Sequence, residues 1–592
     1  LRSHDNEPLA LARFQLDAAA RLFEALRDRG DKGIVIGAGT GAGKTKAFYV
    51  PALAHIAADD SETHAPKAIA IYPRIELLKD QFAEAFSEAR KLDRVLQQHN
   101  KPPIVVGAYY GDTPTDAKQL LESDPKRNQG WSPNSARDGW IFPMMPCPTC
   151  NGDLVWYKED VEAEVKANKE GKYGNFARLQ CASCRLTITA DTIALTRRQM
   201  IERPPDILFT TTEMLNRRLS RTDEHALFGI GVKYPPRLLL LDEIHTYEGM
   251  SGAQIAYLLR RWRHARGHRP GQGLVIVGLS ATLTQAEPFF ARLTGLPIEH
   301  VSYVTPAEDD MLEEGVEYNL VLKGDPVSGT SLLSTSVQTA MLLGRILDLP
   351  ADHPKGAVSR GAYGQRIFAF TDTLDVINRW FHIEQDAETN LTLSKYRNKR
   401  STEGKDEARR RNEAGQWWWA SERIGHDLDT PLSLDITSSQ YRGVRANADL
   451  VVATSTLEVG FNDPTVGAVI QHKAPRSLAS FLQRKGRAGR SRLMRPWMVV
   501  VSSAYGRDRW VFQHAERLFS PSLPPLELPL ENPYIRKMQA AFALMDWLAT
   551  SLATQGSKAD IWSALSSAPN HRTAWLNSQR LKIKRILEKV LR

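Results

Sequence analysis

At 592 residues the chain is too long for one hydrophobic core, and its length points to three or four domains. With 42% hydrophobic and 24% charged residues it has the make-up of a folded globular protein, which excludes wholesale disorder. The net charge of +9 suits a polyanionic partner, while no apolar run is long enough to span a bilayer.

The first thirty residues lack a signal-peptide core, so a cytoplasmic location without a membrane partner is expected. The chain opens on Leu1-Arg2 rather than Met, as a trimmed portion of a longer protein would. Residues 9–29 read as an amphipathic helix within an N-terminal segment, 1–32. Near its start stands Gln15, whose amide can pair with both the donor and the acceptor edge of adenine.

From Gly33 to Pro51 an apolar run enters a glycine-rich loop, and Lys44-Thr45 then opens a helical stretch. Such a loop turns backbone N–H groups toward a phosphate, and the helix N-terminus adds its positive end. Gly39, Thr40, Gly41, Ala42 and Gly43 would form the cradle, with Lys44 on the terminal phosphates and Thr45 on Mg²⁺. Ala38 stands where the strict pattern has Gly. Pro51 inside the following helix predicts a kink held by packing.

Ala68–Ile71 reads as a buried strand, followed by YPRIELLKDQ, which sets Arg74 and a helix start at the sheet's carboxyl edge. Residues 112–200 break the α/β rhythm and hold all four cysteines, Cys147, Cys150, Cys181 and Cys184. Two C-x₂-C pairs are the spacing of a zinc ribbon, and four thiolates would hold Zn²⁺ with no open position, in a structural role. The alternative is four unrelated buried thiols.

A strand at 206–209 leads into Thr210-Thr211-Thr212, and Arg237–Leu241 leads into Asp242-Glu243. Carboxylates at the tip of a buried strand, downstream of a phosphate loop, suit Mg²⁺ binding by Asp242 and orientation of an attacking water by Glu243. A further strand ends in Ser280-Ala281-Thr282. Residues 301–365 read as a connection with one helical piece, Thr335–Leu347, and a loop at 350–364.

A second α/β unit, 366–515, has no phosphate loop of its own and is interrupted at 384–432. That interruption carries a basic run from Lys395 to Arg411 and then Trp417-Trp418-Trp419. Charge and aromatic rings suit single-stranded nucleic acid, and a solvated helix face with one tryptophan in the core is the alternative. The tail, 516–592, is Leu- and Pro-rich and then helical.

In order and spacing these stretches resemble the motifs of superfamily 2 helicases of the DExH type over roughly residues 10–510. AGTGAGKT resembles motif I, YPRIELLKDQ motif Ia, TTTEML the short motif after it, DEIH motif II and SAT motif III. ATSTLEVGFND resembles motif V and QRKGRAGR motif VI. The resemblance implies two tandem RecA-like domains, parallel sheets flanked by helices: residues 33–300 and 366–515, with the 112–200 zinc-ribbon-like insertion and a helical C-terminal segment. It implies ATP bound between the two units, Gly460 on the nucleotide, and Arg487 and Arg490 as arginine fingers. Arg74, Thr211, Thr212, Thr454 and Ser455 would grip a strand's phosphates.

DEIHTYEGMSGAQIAYLLRR is similar to the MrfA-type repair and defence helicases, which move 3′→5′ on DNA. The cysteines inside the first unit depart from that type and look closer to helicase subunits of phage-defence systems such as DISARM. Asn462 departs from the usual Asp of motif V, with Asp463 one place later to take over its contact or leave coupling weakened. Two functions are implied: an ATP-driven DNA translocase or helicase with a protein partner subunit, or a nucleic-acid-activated ATPase that clamps or remodels without separating strands.

Overall fold

Runs such as Leu238–Leu241, with no polar residue, are fully buried, as strands covered on both faces must be. In a computed structural model they assemble into parallel sheets. The structure describes residues 11–28, 30–39, 42–59, 65–122, 130–172, 174, 176–267, 272–311, 315–324, 331–348, 361–397, 413–415, 424, 428–437, 445, 447–454, 457, 463–491, 494–520, 523–553 and 576–591. It divides into two units, residues 1–310 with 522–592, and residues 311–521.

In the first unit the strands are β1 (Lys32–Gly37), β2 (Ala68–Tyr72), β3 (Val106–Tyr109), β4 (Gly139–Ile141), β5 (Leu154–Tyr157), β6 (Leu179–Cys181), β7 (Thr187–Ile188), β8 (Ile193–Ala194), β9 (Ile207–Thr211), β10 (Leu238–Leu241), β11 (Val275–Ser280) and β12 (Val301–Val304). Eight of them form one sheet in the order β12-β1-β11-β10-β2-β9-β3-β8, every neighbouring pair parallel. The register pairs Gly37 with Ser280 and Tyr72 with Thr211, so the strands carrying the motifs finish at one edge. The insertion folds β4 to β7 into a separate antiparallel sheet and then returns β8 to the edge of the main one. Its last part is therefore sheet rather than interruption.

The second unit holds β13 (Tyr318–Lys323), β14 (Arg366–Phe370), β15 (Leu434–Thr437), β16 (Leu450–Ala453), β17 (Val466–His472) and β18 (Trp497–Ser502), all parallel in the order β13-β18-β17-β14-β16-β15. Ile367 and Ala369 enter one core cluster and Phe368 and Phe370 the other, the two-residue alternation of a strand covered on both faces. Buried Glu388 accepts two of the Arg345 guanidinium bonds, at 2.6 and 2.7 Å, and the Leu432 N–H at 2.9 Å. This ties the start of the 384–432 interruption to its end. Lys395 and Arg397 lie in the short helix Thr392–Arg397, while the rest of the basic run and all three tryptophans lie outside the described residues.

Two boundaries move. The expected connection at 301–365 supplies β12 to the first sheet, β13 to the second and the helix Leu332–Ile346. β13 is a half-exposed edge strand with no clean alternation, which hid it. The tail does not stand apart either. Residues 523–530 run along the first unit, with Leu523 bonded to Thr282 and Thr284 and Glu527 to Gly249. Helix Pro533–Ala553 then packs on helix Gly249–Arg266. Among the described residues, no helix is long and apolar enough to cross a membrane.

Candidate functional site

The loop after β1 is held from three sides. Ala38 N–H donates to the Ser280 carbonyl at the end of β11, 3.1 Å away. Lys44 Nζ folds back onto the carbonyls of Ala38 (2.8 Å) and Gly39 (3.1 Å). Gln15 Nε2 donates to the Gly43 carbonyl at 2.9 Å, while Gln15 Oε1 accepts from Ala12 N–H at 2.8 Å. The amide expected to meet adenine is thus placed against the loop itself. Gly43 caps the helix Lys44–Ala58 with φ 74°, and a Cβ there would lie 2.6 Å from Gln15 Nε2. Thr45 is the second residue of that helix, which runs through Pro51, and Ala42 precedes Gly43. Thr40 and Gly41 lie outside the described residues.

Asp242 follows β10 and is 5% exposed. Burial and the neighbouring Glu243 charge push its pKa up to about 8, against the pull of Lys44 and of the Glu243 N–H, which donates to Oδ1 at 2.8 Å. A carboxylate so raised is short of positive charge. Glu243 sits in the left-handed region (φ 48°, ψ 47°), a strained backbone for a residue with a side chain. His245, which sequence reasoning gave no role, is 1% exposed and brings Nδ1 within 3.3 Å of Glu243 Oε2 and 3.2 Å of Ser280 Oγ. Burial lowers its pKa, so the neutral ring links the acid pair to the end of β11. The signal lay in the DEIH and SAT stretches, but only the pairing of β10 with β11 sets them together.

At the same edge, Arg74 is the residue before helix Ile75–Arg90 and Thr211 the one before helix Thr212–Arg218, where Thr211 Oγ1 accepts from Met214 N–H. The pairing of β2 with β9 makes them neighbours.

Residues 15–121 and 164–289 match the DEAD/DEAH box helicase family, and residues 436–492 match the helicase conserved C-terminal domain. The chain belongs to superfamily 2 of the helicases. It is 29% identical over 295 residues to Druantia protein DruE of Escherichia coli (strain UMEA 4076-1), an alignment covering 44% of this chain and 16% of DruE. The structure of the helicase MrfA bound to DNA is similar with a TM-score of 0.51 at 17% identity, covering 90% of this chain and 52% of that one. Mycobacterium smegmatis helicase Lhr bound to single-stranded DNA and AMP-PNP gives 0.51 at 20% identity, with 90% and 51% covered. This helicase chain thus spans about half the length of those solved chains and a smaller part of DruE.

In the helicase's second unit, helix Leu478–Lys485 leads into Arg487 and Arg490, whose Nε groups reach back to the carbonyls of Gln483 and Gly486. Arg484, not singled out from sequence, is buried between Asp372 Oδ1 and Gln471 Oε1, each 2.5 Å away, with Phe370 beneath its guanidinium. It ties the loop after β14 to β17 and to the arginine turn. Asp463, the stand-in for the motif V acid, is buried and committed to Arg366 and to Thr465, whose Oγ1 donates at 2.6 Å. Thr454 follows β16, with its N–H on the Thr437 carbonyl. Ser455, Gly460 and Asn462 lie outside the described residues.

The four cysteine sulfurs lie within 4.8 Å of one another. Cys147 and Cys184 are 3.5 Å apart and Cys150 and Cys181 3.4 Å apart, near the spacing of about 3.8 Å set by Zn–S bonds of about 2.3 Å in a tetrahedron. Each knuckle turns on a left-handed residue after its second cysteine, Asn151 (φ 58°) and Arg185 (φ 63°). Burial acts to raise the Cys181 pKa, but the N–H groups of Cys184 and Ser183 and the adjacent thiols bring it down to about 6. Four soft sulfur donors at close to tetrahedral spacing, one of them drawn toward thiolate, fit Zn²⁺.

Proposed function

We propose that this chain is the ATP-driven motor of a DNA translocase that moves 3′→5′ and separates strands, acting in the cytoplasm as a subunit of a phage-defence or DNA-repair complex. The observation that carries the reading is the edge where Lys44, Asp242, Glu243 and Ser280 converge on the ends of β1, β10 and β11. Lys44 exchanges its loop carbonyls for the β- and γ-phosphates, and the oxygens of Thr45 and Asp242 hold Mg²⁺. A cation there relieves the like-charge strain on Asp242. Glu243, held by His245, orients the attacking water. Arg487 and Arg490 stabilise transition-state charge, and Gly460 meets the nucleotide. Gln15 acts by bracing the loop rather than by reading the base alone.

Arg74, Thr211, Thr212, Thr454 and Ser455 contact strand phosphates, which positions DNA without reading its sequence. The DNA held by two solved structures of the same fold supports this choice of polymer. Cys147, Cys150, Cys181 and Cys184 hold a structural Zn²⁺.

The test is nucleic-acid-stimulated ATP turnover across single- and double-stranded DNA and RNA, with strand displacement read beside translocation. Lys44→Ala and Glu243→Gln are expected to abolish turnover and leave DNA binding intact; turnover surviving in either variant would sink the site assignment. Translocation without displacement would point to a remodelling ATPase instead.

A further inference from the structure

A second pocket in the first unit lies at the opposite edge of the sheet. It measures about 800 Å³ and is lined by Asp31 and Leu274, the residues immediately before β1 and β11. β1 is six residues long, so about 20 Å of strand separates this pocket from the Lys44 loop. Helices Gly249–Arg266 and Ala286–Thr294 both end at it, and Leu530 and Lys589 of the C-terminal segment complete its wall.

Five cations face this pocket: Arg260, Arg263, Arg266, Arg292 and Lys589. Their simplest role is to cap helix ends, and part of their bonding does so. Arg260 Nη2 donates to the Arg292 carbonyl (2.8 Å) and Arg263 Nη1 to the Thr294 carbonyl (2.9 Å), while Arg292 Nη2 reaches the Leu528 carbonyl of the returning segment (2.6 Å). Carbonyls satisfy donors but cancel no whole charge. Asp31, 2.8 Å from Arg263, is the one carboxylate lining the pocket among the described residues. Each helix C-terminus adds only about half a negative charge. Leaving aside Arg266, whose guanidinium bonds the carbonyls of Pro236, Gly267 and Gln272, about two positive charges are therefore left over among the described residues of a concave site.

Two further observations show that surplus. Arg260 Nη1 is buried with no hydrogen-bond partner among the described residues. The Arg260 pKa is lowered by burial first, with Arg263 and Arg292 pushing the same way, and that of His264 by burial and then Lys589.

We propose that this pocket binds the di- or triphosphate group of a nucleotide-sized ligand, at a site separate from the motor's ATP site. A single carboxylate would leave part of the surplus charge, whereas a polyphosphate matches it and offers several acceptor oxygens to Arg260 Nη1 and its neighbours. The volume falls in the range of small-molecule pockets, and Leu274, Leu296 and Leu530 offer an apolar wall for the rest of the ligand.

The test is calorimetric titration of inorganic tripolyphosphate into the full chain carrying Lys44→Ala, which removes the phosphate-binding lysine of the other site. Binding is expected to persist there and to weaken by about tenfold when exposed Lys589 is changed to Glu, and likewise with Arg260→Gln. Lys589 packs little, so Lys589→Glu should keep the fold; with Lys44 restored it should keep DNA-stimulated turnover. Loss of tripolyphosphate binding with Lys44→Ala alone would overturn the proposal, as would unchanged binding with Lys589→Glu. Displacement by oligoglutamate as readily as by unlabelled tripolyphosphate would reassign the pocket to an acidic peptide.

Discussion

Gln15 and Gly43 form a small mechanical pair. The left-handed turn at Gly43 lets the loop carbonyl face Gln15, and the absence of a Cβ leaves room for Nε2. Gly43→Ala should cost about 1–2 kcal/mol for the backbone alone and more for the contact. Gln15→Ala removes that contact, so in its background the Gly43→Ala cost should fall to the backbone part. A double-mutant cycle by thermal unfolding would read this as a coupling of at least about 0.5 kcal/mol, and strictly additive losses would show that the two residues act independently. At this scale much of the site was legible. Asp242 and Glu243 follow a strand that its apolar run declares, and Lys44 opens the helix after a glycine-rich loop. His245 and Arg484 were not, because their partners Ser280, Gln471 and Asp372 become neighbours only through strand pairing and loop return.

Among the elements, the cysteine sheet tests how far a metal can stand in for a core. β4 to β7 are two to four residues each, too short to be stable alone, and their knuckles bring four sulfurs together. Cys181→Ser is expected to lower zinc content from about one per chain to near zero. It should open residues 139–188 to protease while DNA-stimulated turnover at low temperature survives. Metal analysis of the unsubstituted chain that finds no zinc would end the assignment. The C-x₂-C pairs made the cluster legible, but not the return of β8 to the main sheet. Two residues carry no periodicity, and only their pairing with Val106 and Gly107 defines the strand.

For the whole molecule, the least legible feature is that the chain leaves the first unit, builds the second and comes back. Nothing local in 523–591 says which sheet it belongs to; the decision lies with Arg261. Its guanidinium is 2% exposed, bonded to Asn216 Oδ1 and Gln539 Oε1, and paired with Asp546 at 2.7 Å. Burial pushes the Asp546 pKa up to about 6 and lowers that of Arg261, so desolvation outweighs attraction at both partners. The pair therefore fixes where the returning helix docks more than it adds net stability. Arg261→Ala or Asp546→Ala should each cost about 3–5 kcal/mol, by leaving a buried charge alone. Replacing both with Met and Leu should cost less than either single change. Denaturant midpoints for the three variants measure this, and a double variant weaker than both singles would contradict it.

The same return has a kinetic side. Arg261 and Asp546 are 285 residues apart, with the entire second unit translated between them. At about 5–20 residues per second, a ribosome would expose the seat on helix Gly249–Arg266 for roughly 15–60 s before its cover exists. For that interval the nascent chain presents an arginine still lacking its Asp546 partner and a helix face still lacking its cover, surface of the kind that chaperones shield.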